Sequence, residues 1–161
     1  MLMLAMLLAA ATPQPWVGMS AGPVLLRESG RPGVGTGPML RVEVGYPLAD
    51  RVAAEAWLST TVESAPPRNP GDLAFIAAGG GARLRVGQLD SDGKLNFWLH
   101  GGAGWGVPVS EDGKHGPLGF GGAMLTFRPF IQRFTLGLET DVVAWRDTLG
   151  LAVLPSLRCA F

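Results

Sequence analysis

From residue 16 onward the hydropathy of this chain alternates with a period of two. That is the repeat of an extended strand, not the 3.6-residue repeat of a helix. Eight segments carry it: 16–26, 37–47, 51–63, 73–87, 94–109, 117–129, 132–146 and 149–161. Each holds 11 to 16 residues, well beyond the ~5–6 usual in soluble strands. Glycine, proline, aspartate and asparagine gather in the gaps, from Gly30 to Pro38, Pro66 to Gly71, Asp90 to Gly93 and Asp112 to Pro117. With 24 glycines and 13 prolines in 161 residues, long helices are disfavoured. The pattern predicts one all-β domain with no linker and no second domain.

The two faces of the segments differ in chemistry. Leu40, Val42, Val44 and Tyr46 share one face of 37–47, and Arg41, Glu43 and Gly45 the other. Ile76, Ala78, Ala82, Leu84 and Val86 oppose Arg83 and Arg85. Phe134, Leu136, Leu138 and Val142 oppose Thr135, Gly137, Glu139 and Asp141. Glu55 and Trp57 lie opposite Ala54, Ala56 and Leu58, and Arg158 opposite Leu157, Cys159 and Phe161. Segments 16–26 and 117–129 are less clean, and Pro23 and Pro129 read as strand ends. A soluble sheet would show water a lysine-rich face, yet the only lysines are Lys94 and Lys114, both in predicted loops. Hydrocarbon offers no partner to backbone N–H and C=O groups, so strands that face it must close on themselves. The expected fold is an eight-stranded, antiparallel, up-and-down transmembrane β-barrel of the small outer-membrane type.

The predicted lumen sets Arg41, Arg83, Arg85, Arg128 and Arg158 against Glu43, Glu55, Glu139 and Asp141. Arginine suits such a network because its planar fork binds carboxylates in pairs. An eight-stranded interior is just wide enough for side chains to fill, so a charge-paired plug is expected rather than a pore. Trp57 and Trp98 point inward as filling, while Trp16, Trp105 and Trp145 fall near strand ends, where an aromatic girdle meets headgroups. By parity, however, Trp145 points inward.

Both ends of the chain carry signals. Residues 1–11 form an apolar run ending in Ala9-Ala10-Ala11, too short for the ~20 residues of a membrane span. They read as a signal peptide cut after Ala11, leaving a barrel domain over 12–161. Phe161 closes an alternating strand in the manner of the recognition signal read by the outer-membrane barrel assembly machinery. Termini in the periplasm put turns at 47–51, 87–94 and 128–133 on that side, and four short loops outside.

Composition and motif search exclude several functions. Thirteen basic residues balance thirteen acidic ones, leaving no surplus for nucleic acid. The single cysteine, Cys159, rules out an internal disulfide and a multi-cysteine zinc site. No metal cluster or cofactor motif is expected, and the Gly79-Gly80-Gly81 run lacks the Lys-Ser/Thr of a phosphate loop. His100 faces the predicted lumen, and His115 sits in a loop beside Ser110 and Glu111. A lumenal structural histidine is the simpler reading of His100, and no catalytic site is assigned.

The stretch Arg133-Phe134-Thr135-Leu136-Gly137-Leu138-Glu139-Thr140-Asp141-Val142-Val143, followed by Leu151-Ala152-Val153-Leu154-Pro155-Ser156-Leu157-Arg158, resembles the C-terminal strands of the adventurous gliding motility CglE-type proteins. Those are small outer-membrane barrels of gliding bacteria. A looser similarity covers Pro38 to Leu58, and Cys159 departs from the family where a bulky aromatic is usual. The resemblance implies a non-enzymatic outer-membrane component of an envelope-spanning motility complex. It carries over no functional residue.

The expectation is therefore an exported, non-enzymatic barrel in the Gram-negative outer membrane. Its partners are lipid, the assembly machinery during biogenesis, and other outer-membrane or periplasmic proteins of a motility complex. Two rivals make different structural demands. A small lipid-modifying outer-membrane enzyme needs His100 or His115 bonded to a serine and near an acid. A soluble, lipocalin-like ligand carrier needs Leu40, Val42, Leu136 and Leu138 inside the barrel.

Overall fold

The computed structural model describes residues 14–30, 33–61, 74–109, 115–129 and 133–161. The expected signal peptide lies outside the described residues, as do Ser110 and Glu111. Eight strands follow in chain order: β1 (Trp16–Glu28), β2 (Gly35–Ala49), β3 (Val52–Thr61), β4 (Phe75–Gln88), β5 (Leu95–Pro108), β6 (Gly116–Phe127), β7 (Phe134–Trp145) and β8 (Thr148–Ala160). Each pairs antiparallel with its neighbours in sequence, and β1 pairs with β8 to close the barrel. No sheet edge is left unpaired by this closure, which is how a β chain avoids templating aggregation.

The alternation read from the sequence becomes inside and outside. Leu40, Val42, Val44, Leu58, Ile76, Leu99, Leu125, Leu138, Val142 and Leu151 all point outward and are exposed. Arg41, Glu43, Glu55, Arg83, Glu139, Asp141 and Arg158 point inward and are buried. Leu136 and Leu138 are 49% and 48% exposed, on the opposite side from the one a ligand-carrying barrel requires.

Pro23, expected at a strand end, lies within β1 opposite Pro38 of β2. The β1–β8 pairing lapses around it, between Ser20↔Ser156 and Val24↔Ala152. Proline has no N–H to donate, so a lapse in the ladder accommodates it where regular pairing would not. Phe161 lies just past β8, exposed, its N–H donating to the Pro15 carbonyl at 3.1 Å.

Glycine makes room inside. A Cβ on Gly79 would stand 2.6 Å from Cζ2 of Trp57, and one on Gly102 2.8 Å from its Nε1. The Gly79-Gly80-Gly81 run thus belongs to the wall beside a buried indole. Gly18 does the same for charge, since a Cβ there would lie 2.7 Å from Oε1 of Glu43.

Candidate functional site: the ion-paired lumen

Inside the half nearer the termini, the charged side chains form one unbroken sequence of contacts. Arg83 Nε donates to Glu55 Oε2 at 2.6 Å and its Nη2 to Glu43 Oε2 at 3.0 Å. Arg158 Nε donates to the other oxygen of Glu43 at 2.6 Å, and its Nη2 to Glu139 Oε1 at 2.6 Å. Arg41 Nη1 bridges Glu139 Oε2 at 3.3 Å and Asp141 Oδ2 at 2.8 Å. His100 Nε2 ends the series 2.7 Å from Asp141 Oδ1. The path runs β3, β4, β2, β8, β7, β2, β7, β5, tying strands that are far apart in sequence. Because Arg158 and Arg83 each use two nitrogens on two carboxylates, the network depends on the guanidinium fork rather than on charge alone.

Seven of the nine residues expected in the lumen network meet here, and two do not. Arg85 shares the inward face of Arg83 but lies two residues nearer the mouth, half-buried beside a register shift. Its guanidinium sits 5.9 Å from the Trp98 ring, outside the ion-pair chain. Arg128 falls one residue past the end of β6, exposed, with its N–H on the Lys94 carbonyl at 2.9 Å. Parity alone placed it inside, but parity holds only while the strand lasts. The buried set is thus three guanidiniums and four carboxylates, with His100 against one of the acids.

Among the described residues, the other half of the lumen carries no charge in its core. Val24, Leu26, Met39, Trp57, Phe75, Leu118, Val143, Trp145 and Leu154 form a buried apolar cluster there. Phe120 stands at the boundary: the Arg41 guanidinium lies 4.0 Å over its ring, and Trp57 and His100 meet it edge-on at 5.4 and 5.5 Å. A cation on a ring face in a desolvated site is favourable, so Phe120 joins the two layers. Trp145 is buried against Phe75 and Trp16 lies under Arg83, 4.2 Å from its guanidinium. Neither belongs to an outward girdle, whereas Trp105 is 53% exposed. Leu118, Phe120 and Met124 share one face of 117–129, but only Leu118 and Phe120 belong to the apolar cluster, because Met124 lies level with Glu139 in the charged half.

Two chemistries can be weighed against this geometry. His100, Glu139 and Asp141 offer ligand atoms within 4.8 Å of one another. Arg41 and Arg158 already hold both carboxylates, and two metal bonds of ~2.0–2.2 Å at an open angle require more than the contact between His100 and Asp141. A hydrolytic triad needs a serine on the imidazole. Among the described residues, the buried hydroxyls of Ser20, Ser59 and Ser156 have no hydrogen-bond partner, so none of them is on His100.

A closed eight-stranded barrel, apolar outside and ion-paired within, has the architecture of the small outer-membrane barrels. Solved structures bear out the likeness. Neisserial surface protein A matches with a TM-score of 0.71 at 11% identity, over 91% of this chain and 97% of that one. Ail, the attachment invasion locus protein of Yersinia pestis, matches at 0.59 and 11%, over 92% and 99%. The N-terminal β-barrel domain of Pseudomonas aeruginosa OprF matches at 0.57 and 17%, over 93% and 100%. At these identities the likeness is one of fold. No protein-family model and no curated protein matches the chain, so the gliding-motility resemblance rests on its own strand motifs.

Proposed function

We propose that this chain is a non-enzymatic barrel of the Gram-negative outer membrane with a structural or interaction role. The observation that carries the reading is the inversion of a soluble core: large apolar side chains point outward on all eight strands, while arginine and glutamate are buried. Water would expose the ion pairs and bury the leucines; hydrocarbon reverses both preferences. The likeness of fold to proteins of bacterial outer membranes supports the same placement. With the lumen filled by ion pairs in one half and by aromatic and aliphatic groups in the other, the barrel is a plug rather than a conduit. Its wall and loop ends are what it offers to partners.

Fractionation of the native host's envelope, with electrophoresis of boiled and unboiled samples, tests this reading. Outer-membrane recovery and a heat-dependent mobility shift are expected. Recovery in the soluble periplasmic fraction would overturn it. A place in gliding machinery is the finer reading, supported by the resemblance of 133–143 and 151–158 to CglE-type strands. Deletion in a gliding host should abolish adventurous movement, and undisturbed gliding would remove that assignment.

A further inference from the structure

The outer wall is not uniformly covered. Across β1, β2 and β3, in the half away from the termini, small outward residues leave a groove of about 530 Å³. That lies within the ~300–1,000 Å³ of small-molecule sites. Ala21, Pro23, Thr36, Pro38 and Thr60 line its outward side with Leu40 among them, while Leu25, Leu58 and Ile76 stand around it at about half exposure.

Its backbone is prepared for an apolar occupant. Pro23 and Pro38 face each other across the β1–β2 ladder, and neither has an N–H to leave unsatisfied. The Pro38 carbonyl accepts the Thr61 hydroxyl at 3.0 Å, supplied from the inward side. On the same outward face of β1, four residues beyond Pro23, stands exposed Arg27. At ~3.3 Å per residue, that is about 13 Å along the strand.

We propose that this groove holds an acyl chain of a phosphate-bearing membrane lipid, with the phosphate drawn towards Arg27. The inference rests on the lipid-facing placement proposed above. It goes beyond it in assigning one lipid to one place on the wall. Small residues let the chain lie against the strands, the flanking leucines and isoleucine fix its path, and Pro23 and Pro38 bring no N–H for it to cover. The groove also adjoins the lapse in β1–β8 pairing at Ala21 to Pro23, so a seated chain would shield the thinnest part of the seam.

The test uses the full chain refolded into dimyristoylphosphatidylglycerol vesicles, checked by flotation, then released into mild detergent for native mass spectrometry. The unaltered protein should retain a phosphatidylglycerol adduct. Ala21→Trp, or Thr36→Phe should the tryptophan impair folding, fills the groove and should abolish the adduct. Leu138→Trp on the distant β7 wall should keep it. Arg27→Ser should lower retention of phosphatidylglycerol while leaving that of dimyristoylglycerol unchanged. Equal retention by all folded variants would overturn the site. So would a groove-filling variant that splits a dimer, which would make a second copy the occupant. A chain that does not float with the vesicles contradicts the membrane placement itself, a failure distinct from loss of the groove.

Discussion

The two halves of the lumen are filled by opposite means. Near the termini, three arginines, four carboxylates and His100 are buried together. Beyond Phe120, Trp57, Phe75, Trp145 and their aliphatic neighbours do the same job without charge. The apolar half is stabilised by contacts that are individually replaceable, because dispersion and desolvation depend on volume more than on identity. The charged half is conditional: each ion was removed from water, and its stability depends on partners that must all be in place. One barrel therefore contains a tolerant layer and an exacting one. The exacting layer links β2, β3, β4, β5, β7 and β8, so it ties together strands that are not neighbours in the barrel wall.

Substitutions should separate the layers. Arg158→Met takes the 2.6 Å partner from both Glu43 and Glu139, leaving two guanidiniums for four buried carboxylates, and should lower the unfolding free energy by about 3–5 kcal/mol in a urea titration of vesicle-bound protein. Arg158→Lys should recover little, since an ammonium cannot reproduce the fork. In the apolar half, Leu154→Ala should cost about 3 kcal/mol, and Leu154→Met under ~1.5. If both conservative replacements behave alike, the distinction fails. His100→Gln should have a smaller effect, about 1 kcal/mol by the same titration, because Asp141 keeps Arg41 at 2.8 Å.

The smallest expected effect lies outside both layers, in the β4–β5 turn. There the Asp90 carboxylate accepts the Lys94 and Leu95 N–H groups, at 3.1 and 2.7 Å. Lys94 Nζ donates to Asp92 at 3.0 Å, and this bond with the ammonium's charge holds the Asp92 carboxyl below its ordinary 3.8. A lowered folded value stabilises the native state above the ordinary value, and that contribution fades as pH falls through the lowered one. Lys94→Gln should move the Asp92 titration upward in a carboxyl NMR experiment, with no measurable change in stability at neutral pH.

Strand number and facing were legible because a period of two sets both, since shifting a strand by one residue would move every leucine to the wrong side, and order followed from the short gaps that join neighbours. Strand ends fall within two residues of those expected, the range where turns rather than burial decide. Height along the barrel was not legible. Parity assigns Arg83, Arg85 and Arg128 to one side but says nothing of depth. Only the register, with Gly18, Glu43 and Arg158 side by side, shows which charges meet. For the same reason Trp16 looked like a girdle residue until its neighbours were known, whereas parity already set Trp145 inward. The division of the lumen at Phe120 depends on long-range pairing of β2, β5 and β6, which no local pattern encodes.

Whether the exposed leucines meet lipid or water can be read from nitroxide labels placed singly at Leu136, Leu138 and Val142, after Cys159→Ser, in vesicle-reconstituted protein. Frequent collisions with oxygen and few with an aqueous nickel chelate are predicted at all three positions. High nickel accessibility there would put water against the wall and contradict the account.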